Sequence, residues 1–377
     1  MPFHAWRILL GLSLSALILS CRGATENTIK VGEFASLTGK EATYGQAAHK
    51  GTLLAIEEIN AAGGVLGRKL QLVSEDDQSK AGESATIAKK LISRDKVVAI
   101  LGEITSGRTL EAAPIAQNAR IPLISPGATA PDVTNKGDYI FRVCFVDLFQ
   151  GSVMAKFARN TLKLNRVAIL SSASSAQSVG LAKIFRQRFT DDHGEIALEQ
   201  KYADGDKDFR AQLTAIRAAG VDGIFVPGYY SEAALICKQA RDLGLALPLF
   251  GVDGWESSEL ISIGGKSVEG AYFSTHYSAQ SSDPTVVGFN ERFSRRWNTS
   301  SDALSALGYD SALLLADAIK RAGTTDSKPL RAALASTKNF RGVTGTITFD
   351  AQRNVTKSAV VLQVKDGKFA FVERVDP

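Results

Sequence analysis

The sequence predicts an α/β protein with two parallel sheets, each covered by helices. Apolar strand patterns alternate with helical patterns from residue 29 to residue 125, and the same alternation restarts after Gly151. Strands that alternate with helices typically form a parallel sheet that is buried on both faces. The length of 377 residues agrees with two domains of ordinary size.

The first half supplies one complete series of these elements. The apolar residues of 45–62 recur at helical spacing, and the pair Gly63-Gly64 ends this helix, as glycines commonly do at helix C-termini. The predicted strands are 29–34, 70–73, 97–101 and 122–125, and the predicted helices are 45–62, 81–93 and 109–118. These elements suffice for one sheet with its helices.

The second half repeats the pattern and then departs from it. Its predicted strands are 167–170, 196–202, 223–226, 249–252 and 270–274, with helices 181–191, 209–219 and 231–243 between them. In the C-terminal part, the pattern predicts helices 284–297, 303–322 and 329–336 and strands 345–350, 358–364 and 369–372. We expect strand 369–372 to pair with the two strands before it. These elements are too few for a third domain, so we expect them to complete the first two.

Composition excludes several functions. The net charge is +5, and no run of Lys and Arg marks a nucleic-acid surface. The three cysteines and four histidines are scattered, so no metal or redox motif is predicted, and no cofactor is expected. The chain lacks the G-x-S-x-G, P-loop and H-E-x-x-H motifs, and the glycine-rich stretch 62–67 follows a helix instead of a strand. We therefore expect a protein that is not an enzyme.

The N-terminus predicts export and a lipid anchor. Arg7 precedes an apolar run over residues 8–19, which has the length of a signal-peptide core and is short for a membrane span. Residues 17–21, LILSC, resemble the bacterial lipoprotein signal, which implies a signal peptide over 1–20, lipidation of Cys21 and a tether over 21–28. A plain secretory signal with an incidental cysteine is the alternative. No later stretch has the length of an apolar membrane helix.

Several segments in order resemble one family. They are GKEATYGQAAHKGTLLAIEEINAAGGVLGRKLQLVSEDDQS, IPLISPGATAPDVTNKGDYIFRV, GYYSEAALICKQARDLGL, GVDGWE and GTITFDAQRNV. Together they are similar to the branched-chain amino-acid (leucine/isoleucine/valine) binding proteins of ABC transporters, which are type I periplasmic binding proteins. The resemblance implies two Rossmann-like lobes joined by a three-strand hinge, with lobe 1 formed by 29–146 plus 277–342 and lobe 2 by 147–276 plus 343–377. The ligand of such a protein lies between lobes that close around it.

One half of the predicted site suits an anion. Ligands of open α/β sheets bind beyond the carboxyl ends of the strands. In lobe 1 these ends carry Ser, Thr and Gly next to helix starts, where free amides and the helix dipole favour a negative group. The resemblance implies that Ser106, Ala128 and Thr129, with Gly127 beside them, hold the α-carboxylate of the ligand. From the residues alone, helix capping is the alternative role of Ser106 and Thr129.

The other half suits a cation. Asp253 follows a predicted strand, and the resemblance makes it the partner of the ligand's ammonium, although a turn residue is the alternative. Tyr229 is expected to lay its ring against the ligand. Tyr44, at the start of the first helix, either lines the entrance of the cleft or packs as a hydrophobic staple.

The sequence departs from the family at two places. Gln177 stands where the family usually has an aromatic residue. We therefore expect the pocket for the ligand's side chain to be roomier or more polar than in the family, so the ligand need not be leucine, isoleucine or valine. Thr105 and residues 78–79 stand where the family has its disulfide. We therefore expect Cys144 and Cys237 to be unpaired core thiols.

The predicted function is capture of an amino acid, or a similar small molecule, in the periplasm or cell envelope by a monomer. The resemblance implies delivery of this ligand to an ABC permease in the inner membrane. A sensory receptor of the same fold, and a binder of amides or aromatic acids, remain alternatives.

Overall fold

The computed structural model describes residues 28–377. Cys21, the predicted signal peptide and nearly all of the predicted tether therefore lie outside the described residues.

The first sheet is wholly parallel. Its strands are β1 (Thr28–Ala35), β2 (Lys69–Asp76), β3 (Ala99–Leu101), β4 (Leu123–Ser125) and β5 (Ile140–Arg142), in the order β2-β1-β3-β4-β5. The helices between these strands are α1 (Ala42–Ala61), α2 (Glu83–Ser93) and α3 (Ser106–Ala119). The central β1 and β3 are almost entirely buried because helices cover the sheet.

The second sheet is larger and mixed. Its first five strands are β6 (Arg166–Ser172), β7 (Glu195–Tyr202), β8 (Gly223–Phe225), β9 (Leu249–Gly251) and β10 (Tyr272–Thr275). Helix α4 (Asp147–Lys156) precedes β6. The helices between successive strands are α5 (Ala176–Asp191), α6 (Arg210–Ala218), α7 (Tyr230–Asp242) and α8 (Ser258–Gly264). Strands β6 to β10 pair in parallel, as the repeated strand–helix pattern predicts.

The C-terminal elements divide between the two sheets. They are α9 (Pro284–Trp297), α10 (Ala303–Ala322), α11 (Ser327–Ala335), the hairpin of β11 (Phe340–Gly342) and β12 (Gly345–Ile347), and then β13 (Ala359–Lys365) and β14 (Lys368–Val375). Helix α10 packs on α1, whereas β13 and β14 extend the second sheet in the order β14-β13-β10-β9-β8-β6-β7. The chain therefore passes between the sheets three times, after β5, after β10 and before β13, and forms two Rossmann-like lobes with a three-strand hinge.

Two glycines explain the close packing of α1 on α10. A Cβ atom on Gly51 would lie 1.8 Å from the carbonyl oxygen of Ser305, and one on Gly308 would lie 2.2 Å from that of Ala48. Only glycine permits this approach of two helix backbones. This contact fixes the C-terminal helices on the first lobe.

The prediction for the C-terminal strands was partly wrong. Only Gly345–Ile347 of the predicted strand 345–350 is a strand, and it pairs with β11 instead of with the last strands. Strand β14 pairs with β13 alone, across the turn Asp366-Gly367. The prediction also omitted β5 and α4, because β5 has only three residues and α4 follows it after four residues without a turn signal.

Candidate functional site

The eight predicted site residues come together between the two sheets. Each follows the carboxyl end of a parallel strand, where ligands of open α/β sheets bind. They are Tyr44 after β1, Ser106 after β3, Gly127, Ala128 and Thr129 after β4, Gln177 after β6, Tyr229 after β8 and Asp253 after β9. Most of them are buried, and Tyr229 is partly exposed.

The first-lobe wall offers hydrogen-bond donors. Helix α3 begins at Ser106, and its N-cap residue, Thr105, makes no side-chain capping bond. The first amides of a helix have no partner within the helix, so they point their N–H groups outward. The Ser106 hydroxyl oxygen accepts a bond from the amide of Ala130 at 3.1 Å, which leaves the hydroxyl hydrogen free to donate. This corner of the site therefore favours an anion.

Ala128 shapes the wall instead of offering a donor, and Gly127 packs beside it. The amide of Ala128 donates to the Ser125 hydroxyl at 2.9 Å, and its carbonyl accepts from Arg142 at 2.7 Å. Both backbone groups of Ala128 are thus engaged. A Cβ atom on Gly127 would lie 3.1 Å from the Ile104 side chain, so this position packs tightly.

Gln177 joins the two lobes. It lies in the first turn of α5, and its side-chain amide nitrogen is 3.0 Å from the Thr129 hydroxyl and 3.1 Å from one carboxylate oxygen of Asp253. Thr129 belongs to the first lobe and Asp253 to the second. Gln177 is only 5% exposed, so these bonds lie inside the closed interface.

Asp253 is surrounded by donors. Its Oδ1 atom also accepts the amide N–H of Gly254 at 3.0 Å, and its Oδ2 atom lies 3.1 Å from Nε2 of His276. Burial lowers the pKa of His276, whose ring stacks on Phe145 with centroids 3.7 Å apart. A neutral His276 that donates from Nε2 would stabilise the Asp253 carboxylate.

Tyr44 forms a second bridge between the lobes. Its hydroxyl donates to the carbonyl oxygen of Gly254 and accepts the amide N–H of Tyr230 at 3.3 Å. Its ring meets that of Tyr229 edge to face, with centroids 5.7 Å apart. Of the two roles that the sequence left open for Tyr44, these contacts favour a place at the cleft. Tyr229 is partly exposed beside it.

Sequence reasoning missed two residues of this cluster. Asp147 starts α4 after β5, and His276 follows β10, so both lie where a strand ends. The strand-end rule would have found them if β5 and the C-terminal limit of β10 had been placed correctly. Burial raises the pKa of Asp147 to about 8, and the charge of Asp253 adds to this shift.

The cysteines, possible metal ligands and long helices of the described residues also bear on the sequence predictions. Cys144 and Cys237 are buried and free. Within residues 28–377, no group of three or more His, Cys, Asp and Glu side chains is arranged to hold a metal ion. In the same range, no helix combines the length and the apolar composition that a membrane crossing requires.

The fold and the closed cleft define a two-lobed binding protein, and comparisons with known proteins agree. The sequence model described as periplasmic binding protein matches residues 28–368, so the chain belongs to the periplasmic binding protein family. The leucine-, isoleucine-, valine-, threonine- and alanine-binding protein of Pseudomonas aeruginosa is 31% identical over 325 residues, which cover 86% of each chain.

Two solved structures are similar throughout. The leucine binding protein LivK of Thermotoga maritima is 37% identical, with a TM-score of 0.89, and the match covers 93% of this chain and 99% of that one. The branched-chain amino acid transporter substrate binding protein LivJ of Streptococcus pneumoniae, solved with isoleucine, is 36% identical, also with a TM-score of 0.89, over 93% and 100%. The expected family and fold are thereby confirmed. Members of this family are extracytoplasmic solute-binding proteins.

Proposed function

We propose that this protein captures an α-amino acid between its two lobes and delivers it to an ABC permease in the membrane. The observation that carries the proposal is the pairing of opposite chemistries across the cleft. The first lobe offers the uncapped start of α3 with the hydroxyls of Ser106 and Thr129, and the second offers the carboxylate of Asp253.

A zwitterion suits both walls at once. Its carboxylate would accept from the amides of α3 and from the Ser106 hydroxyl, since charge-assisted bonds of this kind are about twice as strong as neutral ones. Its ammonium would donate to Asp253. Because the two walls belong to different lobes, only the closed form makes both sets of bonds, and the ligand therefore favours closure.

Gln177 supports this assignment. Its amide nitrogen contacts Asp253, the acceptor proposed for the ligand ammonium, and Thr129, one of the hydroxyls proposed for the ligand carboxylate. A ligand would displace the amide, and the freed Gln177 side chain would then face the ligand. This polar neighbour favours ligands beyond the purely aliphatic amino acids, such as those with a hydroxyl group.

The remaining assignments complete the proposal. The mature protein begins at Cys21, whose lipid holds it at a membrane in the periplasm or cell envelope, and it acts as a monomer. Lobe 1 comprises 29–146 plus 277–342, and lobe 2 comprises 147–276 plus 343–377.

A thermal-shift panel of amino acids, amides and small aromatic acids tests the function. A ligand that binds only the folded form stabilises it by RT ln(1 + [L]/Kd), about 2.7 kcal/mol at a hundred times Kd. We expect one or more α-amino acids to raise the melting temperature most. If aromatic acids or amides raise it most, the protein is a binder of those compounds. If no compound raises it, the small-molecule binding role is wrong.

A further inference from the structure

A polar cavity of about 670 Å³ lies at the hinge. Two of the three crossings between the sheets line it, with residues 276–278 after β10 and residues 356–358 before β13. Its sides come from both lobes, with Asp283 at the start of α9 and Arg374 on β14. None of the eight predicted site residues lines this hinge cavity, so it lies outside the site described above.

Lys357 contributes a buried ammonium group to the hinge cavity. The residue is 5% exposed, and its Nζ atom donates to the Thr344 hydroxyl at 2.6 Å. That hydroxyl donates in turn to Asp310, whose carboxylate also accepts two backbone amides. An ammonium group has three hydrogens to donate. Within residues 28–377, Lys357 has no other acceptor and no salt bridge, so its charge calls for an anionic partner.

His276 presents the opposite need at the same cavity. Its Nε2 atom lies 3.1 Å from Asp253, whereas its Nδ1 atom is buried without a hydrogen-bond partner in the described part of the chain. Burial and, to a smaller extent, the nearby charge of Lys357 lower the pKa of His276, which favours a neutral ring. A neutral ring that donates from Nε2 has a lone pair on Nδ1, which accepts a hydrogen bond. His276 therefore calls for a donor.

Two arginines at the rim add positive charge. Arg341 and Arg374 line the cavity, and their side chains are 70% and 65% exposed. Each has an acid nearby, with Asp283 at 3.6 Å from Arg341 and Asp376 at 3.0 Å from Arg374. With Lys357, three cationic side chains and one acidic side chain, Asp283, line the cavity, and serine and threonine hydroxyls lie among them. Such a lining favours an oxyanion.

We propose that the hinge cavity is a second binding site, and that its ligand is a small oxyanion that also carries a hydroxyl group. The oxyanion would accept hydrogen bonds from Lys357 and from the hydroxyls of the lining. Its own hydroxyl would donate to Nδ1 of His276. The phosphate ion, which keeps a hydrogen at pH 7, and hydroxycarboxylates such as citrate have this combination of groups.

Occupancy of the hinge cavity should be coupled to capture of the amino acid. Both lobes line the cavity, so an occupant that binds both sides holds the lobes at the separation of the closed form. It also contacts His276, which lies against Asp253 in the cleft. Coupling between two sites acts equally in both directions. The coupling rests on the proposed function, whereas binding of the oxyanion itself does not.

A purely structural role for Lys357 is the alternative. Its bond to Thr344 links it to Asp310, and this link ties the third crossing of the hinge to α10 of the first lobe. Under that role, Lys357→Met changes the melting temperature and oxyanions do not affect the wild-type protein. Under the proposed role, wild type responds to oxyanions and Lys357→Met does not.

Thermal unfolding and titration calorimetry of the mature chain in bis-Tris at pH 7 test this. The probes are phosphate and citrate, and sulfate is the comparison because it has no hydrogen to donate at this pH. Sodium chloride keeps the ionic strength equal. The variants are Lys357→Met and Arg374→Glu. Arg210→Glu is the matched control, because Arg210 is also exposed and pairs with an acid two residues away, but it lies on α6 and does not line the cavity.

We expect phosphate or citrate to raise the melting temperature of wild type, and the more effective of the two identifies the class of oxyanion. At saturation it should tighten binding of L-leucine, or of the amino acid that leads the thermal-shift panel, by about fivefold or more, which is the lower end of common coupling between sites. Both effects should disappear in Lys357→Met, become smaller in Arg374→Glu and persist in Arg210→Glu.

Several results would overturn the inference. They are no response to either oxyanion, an equal response to sulfate, and responses that persist in both Lys357→Met and Arg374→Glu. Weaker binding of the amino acid in the presence of the oxyanion would also overturn it, because the oxyanion would then compete at the wall of Ser106 in the cleft. The amino-acid panel without oxyanions tests the binding role separately, so failure of one does not imply failure of the other.

Discussion

Tyr44→Phe separates closure of the lobes from stability of the fold. The Tyr44 hydroxyl belongs to α1 of the first lobe, and both of its partners, Gly254 and the Tyr230 amide, belong to the second. The substitution removes this oxygen and keeps the ring, including its edge contact with Tyr229. In an open form, water would satisfy the same groups. The loss therefore falls on the closed form alone.

The expected magnitude follows from counting bonds. The amide of Tyr230 approaches at 3.3 Å, which is long for a hydrogen bond, so only the bond to Gly254 is counted. One net hydrogen bond contributes about 0.5–1.5 kcal/mol. Since about 1.4 kcal/mol corresponds to a tenfold change in affinity, Tyr44→Phe should weaken ligand binding by about 2-fold to 10-fold.

Tyr309→Phe is the matched control. The Tyr309 hydroxyl also makes two bonds, to Glu58 and Arg292, but these partners lie on α1 and α9 of the same lobe. We expect Tyr309→Phe to lower the melting temperature without changing ligand affinity. We expect Tyr44→Phe to lower ligand affinity without changing the melting temperature. Calorimetry and thermal unfolding of the two variants decide this. Unchanged affinity in Tyr44→Phe would refute the assignment of this bridge to the closed state.

Four further outcomes are expected. Asp253→Ala should weaken an α-amino acid by about 2–5 kcal/mol, and Ser106→Ala by about 1.5–3 kcal/mol; calorimetric titrations that match wild type would contradict these roles. Cys21→Ser should abolish detergent partitioning and palmitate labelling of the mature protein, and labelling that persists would exclude this anchor. Nδ1 of His49 lies 2.6 Å from Oε2 of Glu33, and this hydrogen bond raises the pKa of His49. The stabilisation of the folded protein by the protonated His49 is fully present below the pKa of about 6.5 in the unfolded chain. It is lost as the pH rises through the higher pKa in the folded protein. The free energy of unfolding in urea should therefore fall with pH over this range in wild type but not in His49→Asn.

The overall architecture was predictable because it depends on patterns that the chain repeats. The helix over 45–62 was foreseen from its apolar face and its terminal glycines, and α1 ends at Ala61. The placement of Ser106, Thr129 and Asp253 followed from a general property of parallel sheets, that ligand sites lie beyond the strand ends. These inferences need only local sequence and topology.

The details of the site were not predictable because they depend on contacts across the lobes. The sequence indicated that Gln177 was unusual, but not that its amide spans from Thr129 to Asp253. Asp147 was overlooked because the three residues of β5 leave too short a pattern to mark the strand end that precedes it. A buried carboxylate without a partner becomes visible only when the surrounding side chains are placed.

The central claim is that the two lobes close around a bound ligand. Small-angle X-ray scattering tests it most directly, in a titration with the amino acid that binds most tightly. Two lobes joined by a three-strand hinge open and close as near-rigid bodies around a ligand. We expect the radius of gyration to fall on binding, with a midpoint at the calorimetric Kd and saturation at one ligand per chain. Scattering curves that stay identical, while calorimetry shows that the ligand is bound, would contradict the account.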